Sequence, residues 1–419
     1  MRNRKPSRKN RLMMCTAGGL IQGLALAVAF ALGASFAAGG SWSTAPVADR
    51  CPDVRVVYQA ASPDLVNQSN APDNKYGLED GRVVRTKSGD FVMVSAEMYA
   101  DPRWVSMRLG VWRSADGYAW TRQRTLRQSS GTTDGTDPHA ASWGPMLVHD
   151  EARDVWALSY VAYRSGGRNY SGWLENFEGT IYYAEANTTG DAGLNGDFGD
   201  SGDWRDTDKV LLAPDDFGKW FPCQGLQGTD SMFPYQLPNG SWAALVGTSH
   251  QEGGWRPSAA GEGKWPVSLA TAPALAGPWT RYNPADPGDP ADAPCLNVTW
   301  GHTENPIVSP LPGGGGGFLA VYDDLRHESV GFSRACSGDG VVWGGSSLVP
   351  VPGGARTPFG VLPMTSAEVA EHAARIAAYG TTTVPLVQKQ NATLAWLFYT
   401  ATVGGWERFR SAVVEIGAV

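Results

Sequence analysis

The chain has 419 residues and a formal net charge of −7, and only 18% of its residues are charged. Beyond the first eleven residues it contains no basic run, which argues against a nucleic-acid partner. Glycine (52), proline (28) and tryptophan (17) are abundant. Because many Gly, Pro and aromatic residues indicate short strands joined by turns, we predict an all-β protein.

The N-terminus has the pattern of a secretory signal. Six of its first eleven residues are Arg or Lys, and residues 12–38 are uncharged, mostly apolar and end in small side chains. We therefore predict a signal peptide over residues 1–38 and a protein that is secreted or held in the lumen of the secretory pathway. Since roughly 20 apolar residues also span a bilayer, the alternative is an uncleaved, type II signal anchor, and only then do we expect membrane contact.

Two further patterns fit the secretory route. Six Asn-X-Ser/Thr sequons are candidate glycosylation sites: Asn67, Asn169, Asn187, Asn239, Asn297 and Asn391. Removal of the leader leaves Cys51, Cys223, Cys295 and Cys336, which allow two disulfides with three connectivities. Their spacing matches no metal-site pattern, so we predict no zinc and no required cofactor, while a structural calcium ion is left open.

The remainder of the chain divides into five repeated units over residues 76–419, preceded by an N-terminal extension over residues 39–75 that we expect to pack along them and pair with the last. The units begin near residues 76, 141, 228, 301 and 357. Two units share a Ser-X-Asp-Gly-X-X-Trp hairpin, at Ser114–Trp120 and Ser337–Trp343, in which Asp and Gly form the turn and Trp covers its end. In the fifth unit, Thr365-Ser-Ala-Glu368 is a capping box that predicts a short helix ending at Gly380. Units of about 70 residues predict one monomeric five-bladed β-propeller of four-stranded antiparallel blades.

Three acids occupy matching places in units one, three and four: Asp80, Asp230 and Glu304. Each is followed by extended apolar residues, a Gly-containing turn and a strand rich in aromatic and β-branched residues. In a radial arrangement the three acids begin their innermost strands and converge on one axis. One such acid alone would suit a turn or an ion pair with Arg, but three converging carboxylates are what cleavage of a glycosidic bond needs.

Other residues are candidates for binding a sugar. Trp143, at the start of unit two, is a candidate platform, because an aromatic ring packs against the apolar face of a sugar; blade packing is its alternative role. His302 precedes Glu304 and is a candidate to bind substrate hydroxyls, although a structural role is its alternative. Arg356 precedes unit five and is expected to reach the central cavity and pair with an acid. Asp323 and Asp324 are expected to be solvated or paired with Arg.

The order of these motifs resembles the five-bladed propeller glycoside hydrolases, above all family 43, which comprises arabinanases, arabinofuranosidases and xylosidases. The resemblance covers residues 76–419 and rests on the three acids, on Trp143-Gly-Pro and on Leu275-Ala-Gly-Pro-Trp279. It implies that Asp80 is the general base, that Asp230 orients and tunes, and that Glu304 is the general acid. The Asp-Pro of that family is Asp80-Gly81 here, and the adjacent Glu79 is the alternative acid of blade one.

The resemblance implies a glycosidase that acts on plant or algal type oligosaccharides or polysaccharides. Negative charge from Asp230 would favour the protonated form that Glu304 needs as an acid. A separation of ~6.5–9.5 Å between the base and the acid would make the enzyme inverting, which we expect, and ~5–5.5 Å would make it retaining. The alternatives are a non-catalytic carbohydrate-binding propeller, a sialidase-type propeller, whose Asp-box the shared hairpin approaches, and a phosphorylase.

Overall fold

The computed structural model describes residues 51–60, 64–164, 179–196, 202–213, 226–250, 267–281, 303–311, 316–327, 329–379 and 392–417. The predicted leader lies outside these ranges, as do His302, Cys223, Cys295 and the sequons at Asn169, Asn297 and Asn391. The side chain of Asp230 also lies outside the described part of the chain. No helix within the described ranges is long and apolar enough to cross a membrane.

The described strands form five antiparallel blades in chain order. Blade one holds β3 (Gly77–Arg85), β4 (Phe91–Met98), β5 (Met107–Ser114) and β6 (Thr121–Gln128). Blade two holds β7 (Ala141–Asp150), β8 (Val155–Tyr163), β9 (Thr180–Ala186), a 3-10 helix (Gly190–Asn195) and β10 (Trp204–Leu212). Blade three holds β11 (Leu226–Gln236), β12 (Trp242–His250), β13 (Val267–Ala272) and β14 (Thr280–Arg281).

Blades four and five complete the series. Blade four holds β15 (Thr303–Pro310), β16 (Phe318–Asp324), β17 (Gly331–Ser337) and β18 (Trp343–Pro350). Blade five holds β19 (Pro358–Pro363), β20 (Thr393–Val403) and β21 (Trp406–Ile416), with helix α1 (Ser366–Tyr379) between its first two strands. Its fourth strand comes from the N-terminal extension, which contributes β1 (Val54–Tyr58) and the short β2 (Asp64–Val66).

The blades are arranged radially. The innermost strands β3, β7, β11, β15 and β19 contact one another in a closed ring, and each of five apolar clusters lies mainly between two neighbouring blades. Blades five and one meet where Glu407 pairs with Gly77. A Cβ at Gly77 would lie 2.1 Å from the carbonyl oxygen of Glu407, so this approach requires glycine. The predicted all-β, five-bladed propeller is confirmed.

The N-terminal extension is tied to both neighbouring blades. Strand β1 pairs antiparallel with β21, beginning at Val54 opposite Ile416. A disulfide joins Cys51 to Cys336 on β17, with Cα atoms 5.5 Å apart. The extension therefore completes blade five and is covalently attached to blade four.

The turn and cap motifs have the predicted geometry. The backbone N–H of Gly117 donates to Ser114 Oγ at 2.8 Å, and Asp116 Oδ1 accepts two further turn N–H groups at 2.8 Å. Ser337 and Asp339 repeat this arrangement in blade four. At helix α1, the N–H of Thr365 donates to Glu368 Oε2 at 2.7 Å and the N–H of Glu368 donates to Thr365 Oγ1 at 3.2 Å, which confirms the capping box.

Candidate active site

Every innermost strand has a break in its pairing register near its first residues. The pairing register shifts between Glu79 and Gly81, Trp143 and Met146, Thr229 and Ser231, Glu304 and Ile307, and Pro358 and Gly360. Such β-bulges turn side chains in a new direction and are common beside active sites. The bulge register places Glu79 in phase with Glu304, each being the last paired residue before its bulge. Asp80 and Asp230 lie within the bulges of their own strands.

Acids from blades one and four meet at Arg356, which immediately precedes blade five. Arg356 Nη1 lies 2.9 Å from Glu304 Oε2 and 2.6 Å from Asp323 Oδ2. Its Nε lies 3.6 Å from Glu79 Oε1. The guanidinium therefore links three carboxyl groups across the innermost strands of blades one, four and five, and the charge-assisted hydrogen bonds are those to Glu304 and Asp323.

These three carboxyl groups differ in access to solvent. The side chain of Asp323 is 0% exposed and that of Glu79 is 2% exposed, whereas Glu304 is 10% exposed. Asp323 is the cross-strand partner of Glu304 on β16. Of the two roles expected for Asp323, solvation or pairing with Arg, the structure shows the pairing, and the carboxylate is fully buried. Of the three, Glu304 is the one that a bound molecule can reach most directly.

Burial strongly perturbs the Glu79 carboxyl. Burial raises its pKa to about 8; Arg356 opposes the shift, and the charges of Glu407 and Glu304 add to it. Thr357 Oγ1 donates to Glu79 Oε1 at 3.2 Å. Burial therefore favours the protonated form of the Glu79 carboxyl, a state in which it can also donate a hydrogen bond.

Five of the six predicted site residues fall into three groups. The structure brings Glu304 and Arg356 into direct contact. Asp80 is buried at 7% exposure in its bulge, with a left-handed φ of 34°, and is the chain neighbour of Glu79. The Asp230 side chain and His302 lie outside the described residues, so their predicted roles stay predictions.

Trp143 belongs to an aromatic stack beside the cluster. Its ring stacks on Trp104, with centroids 5.4 Å apart and planes 20° apart. The guanidinium of Arg103 lies 4.4 Å from the ring centroid of Trp104 and 5.4 Å from that of Tyr76. Arg103 also donates to Glu407 Oε1 at 3.0 Å. The contacts therefore lead from Trp143 in blade two through Trp104 and Arg103 to Glu407 on β21. The charges of Arg103 and Glu407 both act on Glu79.

Sequence reasoning missed Trp104 and Arg103. They lie in the loop between β4 and β5 of blade one, where the sequence Asp101-Pro-Arg-Trp104 interrupts the repeat. The available sequence signal was the presence of two large side chains, Arg103 and Trp104, in a loop of blade one. Within the described ranges, no group of three or more His, Cys, Asp or Glu side chains is arranged to hold a metal ion.

The fold and the carboxyl cluster define a β-propeller with an acidic site at the ring of innermost strands. No protein-family model and no curated protein matches the chain, but solved structures do. The chain is similar to Zg3597, a family 117 glycoside hydrolase produced by the marine bacterium Zobellia galactanivorans, with a TM-score of 0.51 and 10% identity over 88% of this chain and 91% of that one.

Two further solved structures are similar over most of their length. A complex of BT0996 with RGII has a TM-score of 0.52 and 15% identity, covering 86% of this protein and 92% of BT0996. Another glycoside hydrolase has a TM-score of 0.50 and 15% identity, covering 87% of this protein and 94% of that hydrolase. At such low identity these likenesses show a shared fold.

Proposed function

We propose that the protein is a glycoside hydrolase of the family 43 type, which cleaves a glycosidic bond in a plant or algal type oligosaccharide or polysaccharide. The observation that carries this proposal is the meeting of carboxyl groups from blades one and four at Arg356, at the bulges of the innermost strands. Paired carboxyls at one site are the machinery of glycoside hydrolysis. The likeness to Zg3597 and to another glycoside hydrolase supports the same class.

Glu304 is the general acid in this proposal. The leaving oxygen of a glycoside needs a proton as its bond breaks, and the donor must reach it. Both Glu304 and Asp323 contact Arg356 Nη1, but Asp323 is fully buried and Glu304 is not. Glu304 is therefore the carboxyl of this pair that can meet a substrate. Asp323 binds the Arg356 guanidinium on its buried side.

Asp80 is the general base and Asp230 orients the substrate and tunes the acid. Both lie at bulges of innermost strands, and such bulges are common beside active sites. We propose inversion of the anomeric centre, in which Asp80 activates a water on the face of the sugar opposite Glu304. Trp143 and His302 bind the sugar, the former as a platform beside Trp104. The Cys51–Cys336 disulfide supports a secreted location, since such bonds persist in oxidising compartments.

A panel of aryl glycosides, tested against the protein and its Glu304→Gln, Asp230→Asn and Asp80→Asn variants, tests the proposal. We expect hydrolysis by the parent protein and losses of about 10²–10⁴-fold in the variants. Asp324→Asn is the matched control, because Asp324 is buried on the same strand as Asp323 and pairs with Arg326 instead. Full activity in both Glu304→Gln and Asp230→Asn would contradict the site.

Two further measurements separate the alternatives. The anomer released first, observed by NMR, distinguishes inversion from retention. A protein that hydrolyses none of the glycosides, yet binds oligosaccharides in calorimetry, would instead be a carbohydrate-binding propeller. In that outcome the proposed hydrolase function fails.

A further inference from the structure

Glu79 is a buried carboxyl to which the proposed reaction gives no role. Its side chain is 2% exposed, and it lies between two Arg–Glu pairs. Arg356 pairs with Glu304 on one side, and Arg103 pairs with Glu407 on the other. The charged groups that face or adjoin Glu79 in the described structure are Arg356 before β19, Glu304 on β15, Glu407 on β21, Arg103 after β4 and its neighbour Asp80 on β3.

Of the three carboxyl groups around Arg356, Glu79 lies farthest from the guanidinium. Arg356 lies 2.6 Å from Asp323 and 2.9 Å from Glu304 but 3.6 Å from Glu79. A buried carboxyl whose counter-ion is shared with two closer carboxylates gains less from that cation, so burial favours its neutral form.

The second cation is held elsewhere. Arg103 lies 3.0 Å from Glu407, whose carboxylate also accepts from Thr402 Oγ1 at 2.8 Å. The carboxylate of Glu407 places further negative charge near Glu79. Burial and the charge of Glu407 favour the same protonated state of Glu79, whereas Arg356 and Arg103 oppose it.

We infer that Glu79 is a positioning residue that stays protonated while Glu304 acts, and that its ionisation draws Arg356 away from Glu304. The first half of this inference is independent of the proposed function, and the second half rests on it. When neutral, Glu79 accepts from Thr357 and leaves the guanidinium to Glu304 and Asp323. Once ionised, Glu79 competes for the same guanidinium, which lies between blades one and four.

The protonation state of Glu79 is tested without any substrate, by thermal unfolding of the parent protein and of Glu79→Gln over a range of pH. The raised pKa of Glu79 means that the native state binds a proton that the unfolded state releases above about pH 5. The contribution of Glu79 to the stability of the parent protein is therefore lost as pH rises, whereas Gln at this position makes no contribution that depends on pH. We expect the melting temperature of Glu79→Gln minus that of the parent to increase from about pH 5 to about pH 8 and then to level off.

Glu185→Gln is the matched control. Glu185 is also buried, but hydrogen bonds from Tyr183, Arg205 and Arg153 outweigh burial and lower its pKa. Glu185 is ionised in both the folded and the unfolded protein from about pH 5 to about pH 8, so the difference between Glu185→Gln and the parent should be flat there. A flat difference for Glu79→Gln as well would overturn the inference.

Infrared spectra of the parent protein give the same answer if Glu79→Gln does not fold. A protonated carboxylic acid has a carbonyl stretch that a carboxylate lacks. We expect such a band at neutral pH that disappears above about pH 8, with the pKa of Glu79 as its midpoint. Absence of the band at neutral pH would also overturn the inference.

The positioning role is tested by the pH profile of hydrolysis. We expect the alkaline limb of the parent profile to move to lower pH in Glu79→Gln, because Gln cannot ionise, so Arg356 stays on Glu304 and opposes the protonated carboxyl that an acid needs. An unmoved limb, or a Glu79→Gln variant that is inactive at every pH, would contradict the positioning role. If the parent protein hydrolyses no glycoside, the proposed hydrolase function is wrong. The unfolding curves then still show whether Glu79 is protonated in the folded protein.

Discussion

Asp323 lies directly opposite Glu304 on the neighbouring strand, and both carboxylates bind the same nitrogen of Arg356. The two carboxylates differ in burial, because Asp323 is fully buried and Glu304 is partly exposed. In the proposed reaction, a substrate that contacts Glu304 therefore meets a carboxyl whose counter-ion, Arg356, is also bound by the buried Asp323. In the proposed reaction, Asp323 therefore acts through Arg356 and not by contact with the substrate.

Asp323→Asn should lower both stability and activity. The change weakens a charge-assisted hydrogen bond to Arg356, so we expect a loss of about 1–3 kcal/mol in the free energy of unfolding, measured with denaturant. The guanidinium would also shift toward Glu304, and a small misplacement in a site lowers kcat/KM by about 10–100-fold. Asp324→Asn is the control, because Asp324 pairs with Arg326 at 2.7 Å. It should lose stability but keep activity, and equal activity losses in both variants would contradict a role for Asp323 in the site.

The Cys51–Cys336 disulfide should stabilise the propeller strongly, because it joins residues 285 positions apart. Removing such a bond costs about 2–5 kcal/mol through the freedom that the unfolded chain gains. Cys51→Ala, Cys336→Ala and the double variant should lose nearly the same melting temperature, because each removes the same bond. Losses that simply add in the double variant would indicate that the two thiols are not bonded in solution.

The fold was predictable because its signals are local. The Ser-X-Asp-Gly-X-X-Trp hairpin contains its own donors and acceptors, as the contacts of Ser114 and Asp116 show. The capping box at Thr365 and Glu368 is local in the same way. Repetition of such units then predicts a propeller, since one blade cannot bury its apolar faces alone.

The site was predictable only in part because its contacts join distant segments. Arg356 and Glu79 are far apart in sequence, and the Trp104–Trp143 stack joins a loop of blade one to a strand of blade two. The bulge between Glu79 and Gly81 also has no sequence signal that we recognised. It places Glu79 in phase with Glu304, whereas matching the motifs by sequence put Asp80 there.

Asp116 should contribute stability that depends on pH. Burial alone would raise its pKa, but hydrogen bonds from the N–H groups of Ala119 and Tyr118 outweigh burial and lower it. Because the folded pKa is below the unfolded one, the contribution is complete above about pH 4 and is lost as pH falls through the folded value. Asp116→Ala should therefore lose about 1–2 kcal/mol at neutral pH and approach the parent in acid.

The matched variant for this turn is Asp116→Asn, which keeps one acceptor oxygen and removes the charge. It should be more stable than Asp116→Ala at neutral pH, when both are measured by thermal unfolding. Its melting temperature should also lack the acid-dependent part of the parent's loss. If the parent and Asp116→Ala differ by the same amount at every pH, the hydrogen bonds of the carboxylate do not control its ionisation.

The Trp104–Trp143 stack should determine how tightly a sugar binds. Trp143→Ala removes the proposed platform, and Trp104→Ala removes the ring that supports it from the other side. An aromatic contact of ~0.5–1.5 kcal/mol predicts a rise in KM of about 2–10-fold with little change in kcat, and a larger rise for Trp143→Ala. Trp343→Ala is the control, since this Trp packs at 6.1 Å on Tyr235 and lies on the outermost strand of blade four. A rise in KM for Trp343→Ala equal to that for Trp143→Ala would indicate that general loosening of the blades, and not the stack, controls binding.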